Sequence, residues 1–387
     1  MTTSFAAFEF SIADQIVFGP GSLAQAAEAL PKLGGRALLV TGRSGERADR
    51  LGALLEPAGV FISRFAVDGE PTFDGVREGL RQARQAQVDA VIGLGGGSAL
   101  DAAKAIAILF VQKGDPLDYV EVIGRGMPLE GPGLPLIAIP TTAGTGTETT
   151  RNAVLASPEH GMKVSLRSPW LLPRLAIVDP ELTYDAPSEI KARCGFDALA
   201  QLVEPYLSLR AQPMTDLLCR EGMQRVAASL RRVVNGGDDP EAHADMSLAA
   251  LLSGMALANA GLGIVHGLAS AIGGLFPAPH GAICARLLAP ALSENLVAMR
   301  ARTPQHPALD RMADVGELLG GNRRAETATE WTQEAVEACN VPRLSRYGLT
   351  EAALPQVTQG ALKASSTRAN PIPLTEDEMA RIVRAAL

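Results

Sequence analysis

Two histidines and an aspartate are the side chains of this sequence whose type and setting point most directly to chemistry. His266 lies in the apolar run Gly263-Ile-Val-His-Gly-Leu-Ala-Ser270, and His280 follows a proline-rich bend in Phe276-Pro-Ala-Pro-His-Gly281. Upstream, Asp197 and Gln201 stand four residues apart in an otherwise apolar helical stretch, one above the other on a single face. A carboxylate and an amide are expensive to bury without partners, and a divalent cation is such a partner. One carboxylate, two imidazoles and an amide oxygen make a mixed N/O donor set appropriate to Fe2+ or Zn2+, with room for a substrate oxygen. Each histidine taken alone is equally consistent with a satisfied core residue. His160, His243 and His306 occur in polar loop or helix-start settings and are expected at the surface.

Two loops have the composition of an anion site. The segment Gly95-Gly-Gly-Ser-Ala-Leu-Asp-Ala-Ala-Lys104 leads from a buried strand directly into a helix. Glycines let the backbone approach a pyrophosphate, and the free N–H groups and dipole of the helix start favour negative charge. Ser98 stands where the G-x-G-x-x-G fingerprint requires its last glycine, so this is not the ordinary Rossmann loop. The second loop, Pro140-Thr-Thr-Ala-Gly-Thr-Gly-Thr-Glu-Thr-Thr150, carries six threonines and two glycines in eleven positions. Its hydroxyls and backbone N–H groups suit ribose and phosphate oxygens. Taken singly it also fits a solvated turn, but two polar loops after neighbouring parallel strands share one sheet edge.

The elements that must hold these groups differ between the two halves of the chain. Up to about residue 185, short apolar runs at 37–41, 90–93, 136–139 and 175–178 read as buried strands, separated by helical patterns at 73–87 and 98–111. That alternation predicts a parallel α/β layer structure. Residues 151–167 read as a hairpin attached to the sheet. From residue 187 onward apolar residues recur at spacings of three and four, which predicts nearly all helix. The expected domains are therefore 1–183, α/β, and 184–387, helical, with a site in the cleft between them.

Composition narrows the functional classes. The net charge is −7 over 387 residues, which leaves no basic surplus for nucleic acid or an anionic membrane. Four scattered cysteines without a C-x-x-C pair read as reduced core thiols, and the opening residues lack the pattern of a secretory leader, so a cytoplasmic protein is expected. No uninterrupted apolar run approaches ~18 residues. The N-terminal segment 8–12 is a candidate edge strand for pairing across a homodimer.

Three segments together, Gly95 to Lys104, Pro140 to Glu148, and Val265 to Gly273 with Pro279-His-Gly281, closely resemble the iron-containing alcohol dehydrogenase family, and the similarity runs almost end to end, to Asn370-Pro-Ile-Pro-Leu-Thr375. The resemblance implies the dehydroquinate synthase-like fold, with residues 1–183 a dinucleotide-binding domain and 184–387 a metal-binding one, and hydride transfer between NAD(P) and a small alcohol or aldehyde. It implies that Gly95, Gly96, Gly97 and Ser98 hold the pyrophosphate and that Asp101, Thr141, Thr142 and Thr145 hold other polar parts of the cofactor. Lys163 is implied near the nicotinamide ribose, and Asp197, His266 and His280 match three of the family's four metal ligands, one Asp and three His.

This chain departs from the family pattern at three positions. Gln201 replaces the usual second-ligand histidine, which implies a weaker neutral donor and a lower metal affinity or a changed metal preference. Ser270 replaces a further histidine associated with proton movement. Gly42 stands after the first strand where NAD-preferring relatives often carry an acid, with Arg43 beside it to pair with a 2′-phosphate, so NADP is expected to be accepted. Two alternatives accompany this reading: a metal-free reductase similar to maleylacetate reductase, and a non-catalytic nucleotide-binding protein.

Overall fold

The computed structural model describes residues 7–43, 45–237 and 239–387. The opening residues 1–6, where a leader was sought, lie outside these, as do Ser44 and Asp238. The N-terminal half contains the strands β1 (Gln15–Phe18), β2 (Arg36–Thr41), β3 (Phe61–Ala66), β4 (Ala90–Gly95), β5 (Leu136–Pro140), β6 (Asn152–Ser157), β7 (Met162–Arg167) and β8 (Leu175–Val178). Helices α1 (Gln25–Leu33), α2 (Gly45–Leu55), α3 (Phe73–Gln85) and α4 (Gly97–Leu109) connect them.

Six strands form a sheet in the order β1-β8-β5-β4-β2-β3, with every pair parallel. Every residue of β4, β5 and β8 is buried, as expected of strands covered by helices on both faces. β2 has β3 on one side and β4 on the other, so the chain reverses its direction of winding there. The register pairs Thr41 with Leu94 and Gly95 with Pro140, so β2, β4 and β5 end level with one another. Loops leaving such a switch point open a crevice at the carboxyl edge of the sheet.

The hairpin predicted over 151–167 forms, as β6 and β7, but as a separate antiparallel pair. It touches the rest of the half through a bridge between Thr72 and Ala156 and by packing on α4. Its inward residues Ala153, Leu155, Val164 and Leu166 join the core around α4 rather than extending the main sheet. The segment 8–12 is not a strand. Ser11 is tied to the Asn259 side chain through both its N–H and its carbonyl, and the edge of the sheet is β1.

Beyond β8 the described chain is helical: α5 (Ser188–Leu207), α6 (Pro213–Asn235), α7 (Pro240–Ala260), α8 (Ile264–Leu275), α9 (His280–Arg302), α10 (Ala308–Gly320), α11 (Ala325–Ala338), α12 (Leu354–Lys363) and α13 (Glu376–Ala385). α5 is buried almost continuously from Phe196 to Leu207 and packs against α6, α7 and α9. Helix α9 is apolar and long enough to cross a membrane, which run-counting misses because Arg286 and Glu294 interrupt it. Most of its apolar stretch is buried inside the fold.

Candidate active site

The cofactor end of the site is built at the switch point. The Thr141 N–H donates to the Gly95 carbonyl at 2.9 Å, locking the loop after β5 to the end of β4. A Cβ on Gly95 would lie 2.7 Å from the Ala99 methyl and 3.5 Å from the Gly42 nitrogen, and one on Gly97 would meet Thr145 at 2.9 Å. Gly96 likewise lies against Thr142. The structure thus gathers Gly42, Gly95, Gly96, Gly97, Thr141, Thr142 and Thr145 in one place, with Ser98 in the first turn of α4. No side chain caps that turn at Gly96, so its N–H groups and the positive end of the helix dipole are available to an anion. A small, partly open pocket, lined by Thr142, Thr183, Lys191, Cys194 and His243 among others, lies beside the Thr-rich loop. It is lined by none of the predicted metal ligands.

The remaining predicted cofactor residues have protein partners. Arg43 is paired with Asp68 at the surface. Lys163, on β7, lies 3.0 Å from Glu70. Asp101 is in the second turn of α4, where burial pushes its carboxyl up to about 7 against the pull of Lys104. Lys104 itself is buried and donates to the Thr150 carbonyl at 2.6 Å, the Thr150 hydroxyl at 2.8 Å and the Asn152 carbonyl at 3.2 Å. Three acceptors for three ammonium hydrogens pin the end of the Thr-rich loop to α4.

Glu148 in that loop is 2 % exposed, and burial raises its carboxyl from 4.5 to about 7, with Lys104 opposing. A carboxyl raised on folding favours the native state below its unfolded pKa, and that contribution fades as pH rises through about 7. Glu148→Gln therefore gains stability relative to the parent between pH 5 and pH 8, checked by the difference in Tm at the two pH values. An equal difference at both ends of the range removes the explanation.

The metal end lies where α5, α8 and α9 meet. Gly281 allows this approach: a Cβ there would fall 2.1 Å from the Arg193 carbonyl, so only glycine lets the start of α9 abut α5. The start of α8 is held from two sides, by Asn370 accepting from the Ile264 N–H at 3.1 Å and Glu204 accepting from the Val265 N–H at 2.6 Å. The second oxygen of Glu204 accepts from His266 Nδ1 at 2.6 Å. With its proton committed there, His266 presents Nε2 as a lone-pair donor toward Asp197, 3.5 Å away. His280 Nε2 lies 3.4 Å from the same Asp197 Oδ1.

That oxygen is buried and has no hydrogen-bond partner among the described residues, on a side chain only 3 % exposed. A carboxylate oxygen facing two imidazole nitrogens just beyond hydrogen-bond distance fits a shared cation. The electrostatics agree. Burial disfavours charge on His280, but the pull of Cys284 and Asp197 overcomes it and raises the imidazole to about 9. Burial works against the Asp197 carboxylate too, yet His280 and His266 hold it below its usual range. A field that holds a proton this firmly also attracts a metal ion.

The structure brings Asp197, His266 and His280 together and places beside them three neighbours that the sequence reading did not include. Glu204 lies seven residues after Asp197, a spacing that already puts both on one face of α5. Cys284, expected to be an inert core thiol, is one turn after His280 and joins the cluster, with the four donor atoms of Asp197, His266, His280 and Cys284 all within 4.8 Å of one another. Asn370 carries no local signal, since it acts across 106 residues. Gln201 is buried, and its Oε1 accepts from Ser253 at 3.0 Å. His243, expected at the surface, is buried because its Nδ1 meets the Thr183 hydroxyl at 2.7 Å and its ring packs on Tyr184.

Replacing Glu204 by alanine frees the His266 ring and removes an α8 cap, which lowers metal affinity roughly 10- to 100-fold. Competition with a chromogenic chelator measures this, and an unchanged affinity removes the orienting role.

The profile described as iron-containing alcohol dehydrogenase matches residues 13–180, and that of the C-terminal part of the same family matches 191–387. Among curated proteins, the chain is 34% identical to a 1,3-propanediol dehydrogenase of Klebsiella pneumoniae, over 99% of this chain and 100% of that protein. It is 34% identical to alcohol dehydrogenase 4 of Schizosaccharomyces pombe, over 96% of this chain and 87% of the yeast protein. A crystal structure of a 1,3-propanediol oxidoreductase superposes with a TM-score of 0.91 at 34% identity, covering 99% of this chain and 100% of that one. With profiles spanning both halves, full-length relatives and a buried cluster of metal donors, the chain belongs to the iron-containing alcohol dehydrogenase family and is an alcohol oxidoreductase.

Proposed function

We propose that this protein interconverts a small alcohol, of the size of the 1,3-propanediol for which several relatives are named, and the corresponding aldehyde, using NAD or NADP and a divalent ion held by Asp197, His266 and His280. The observation that carries this reading is the orphaned, buried Asp197 oxygen between two imidazole Nε2 atoms. When bound, the ion supplies Lewis acidity to a substrate oxygen and the nicotinamide supplies or accepts hydride. The protein positions both. Glu204 fixes the His266 ring, and the glycine and threonine loops seat the cofactor phosphates at the switch point. His280 keeps 43% of its side chain exposed, so the cluster opens to solvent on that side and admits substrate there. The buried faces of α5 and α8 exclude water from the other sides.

The cofactor reading rests on Gly42 and Arg43. A Cβ on Gly42 would meet nothing within 4 Å among the described residues, which leaves space there for a 2′-phosphate. The Arg43–Asp68 pair is exposed and therefore weak, so a phosphate dianion can draw Arg43 away. The metal is Fe2+ or Zn2+ by donor type. The open edge of β1 supports a homodimer, and four free thiols with an acidic surface support a cytoplasmic location.

The test is alcohol-dependent reduction of NAD+ and NADP+, followed by absorbance over a panel of small alcohols and diols. The expected result is activity that chelation abolishes and Fe2+ or Zn2+ restores, with Arg43→Ala lowering kcat/KM for NADP+ more than for NAD+. Full activity in the chelated protein overturns the metal reading.

A further inference from the structure

We propose that the fourth protein ligand of this ion is the Cys284 thiolate and that Gln201 is not a ligand, which makes the site an Asp-His-His-Cys cluster selective for zinc over iron. The inference rests on the metal reading above and adds to it a ligand supplied by α9. Cys284 and His280 are four residues apart on α9, so they project from one face. The sulfur lies 3.6 Å from His280 Nε2 and 3.9 Å from His266 Nε2, the same two atoms that flank Asp197 Oδ1 at 3.4 and 3.5 Å.

Three of those four separations match what one ion imposes, and the fourth, from the sulfur to His266 Nε2 at 3.9 Å, is slightly longer. Oxygen and nitrogen donors at ~2.0–2.1 Å and a sulfur at ~2.3 Å, arranged tetrahedrally, stand roughly 3.3–3.7 Å apart. Cys284 is fully buried beside an Asp197 oxygen that has no hydrogen-bond partner among the described residues, so sulfur and oxygen line one buried space. Gln201, by contrast, already has its amide oxygen engaged by the Ser253 hydroxyl from α7. An amide is also the poorer donor, being neutral and hard, whereas a thiolate is charged and soft and favours zinc.

Charge gives the chemical consequence. With one carboxylate and only neutral donors beside it, a divalent ion leaves the cluster at a net charge of +1. The thiolate brings it to zero, which strengthens retention of the ion and moderates its pull on a substrate oxygen. Binding releases the thiol proton to solvent, and no oxidation or reduction accompanies it.

The experiment uses the full chain stripped of metal and reloaded with Co2+ or Zn2+. The Co2+ protein is expected to show a thiolate-to-cobalt charge-transfer band in the near ultraviolet, retained in Gln201→Ala and absent in Cys284→Ser. Zn2+ affinity by chelator competition is expected to fall on the order of 100-fold in Cys284→Ser and to change less than about threefold in Gln201→Ala. Zinc-edge X-ray absorption of the unaltered protein, which needs no variant to fold, is expected to show one sulfur scatterer at ~2.3 Å. A bound ion with no sulfur neighbour, or a Gln201→Ala variant that loses the ion while Cys284→Ser keeps it, overturns the proposal. Asp197→Asn separates the two levels: if it loses the ion while Cys284→Ser does not, the metal site stands and the cysteine ligand falls. Failure of the unaltered protein to bind any ion sinks both.

Discussion

Asp197→Asn is expected to lower kcat/KM for alcohol oxidation by roughly three orders of magnitude and to leave the purified protein without stoichiometric metal. The substitution keeps the shape and removes the charge. Asp197 is the one carboxylate among the four clustered donors, and its Oδ1 lies between both imidazoles. An amide oxygen in its place brings no negative charge to balance a divalent ion beside two neutral imidazoles. Because Asp197 projects from α5 while both histidines come from α8 and α9, the loss also unties three helices at their meeting point. Steady-state kinetics with metal analysis on the same preparation checks this. A variant that keeps its metal and stays within tenfold of the parent contradicts the site as assigned.

The second large effect is on stability, at a glycine remote from the ligands. Gly146 in the Thr-rich loop has φ +58, and a Cβ there would fall 2.5 Å from Gly254 Cα and 2.6 Å from the Ala250 carbonyl. Both are backbone atoms of α7, so no side-chain rotation relieves the clash. Placing an L-residue in the left-handed region costs ~1–2 kcal/mol, and overpacking adds ~1–3 kcal/mol. Gly146→Val should therefore lose about 2–5 kcal/mol, a large part of the ~5–15 kcal/mol that holds a domain together. Gly161→Ala is the matched control, since Gly161 has φ +62 with nothing within 4 Å and should show only the backbone part. Thermal unfolding of the two variants compares them directly. Equal shifts in Tm would falsify the close contact between the loop and α7. The same contact joins the cofactor loop to the helical half, so Gly146→Val should also weaken binding of NAD and NADP.

What was legible in the residues themselves was whatever neighbours in the chain encode. Strand runs at 37–41, 90–93, 136–139 and 175–178, the glycines at 95–97 entering a helix, and the four-residue step from Asp197 to Gln201 are local patterns, and each forms as read. Asp197, His266 and His280 were identified because a charge and imidazoles in apolar helices demand partners, a demand visible without knowing where the partners are. Tertiary structure alone decided who those partners became. It seated Glu204 on His266 and Asn370 at the start of α8, drew Cys284 into the donor cluster, turned the Gln201 oxygen to Ser253, and buried His243 against Thr183. It also committed Arg43 to Asp68 and Lys163 to Glu70, and tied segment 8–12 to α7 instead of making it a strand. The physical reason is range. Periodicity and turn chemistry act over a few residues, whereas a cluster of donor atoms spread from 197 to 284 closes only when three helices pack, and which polar atom is left unsatisfied is settled by that packing.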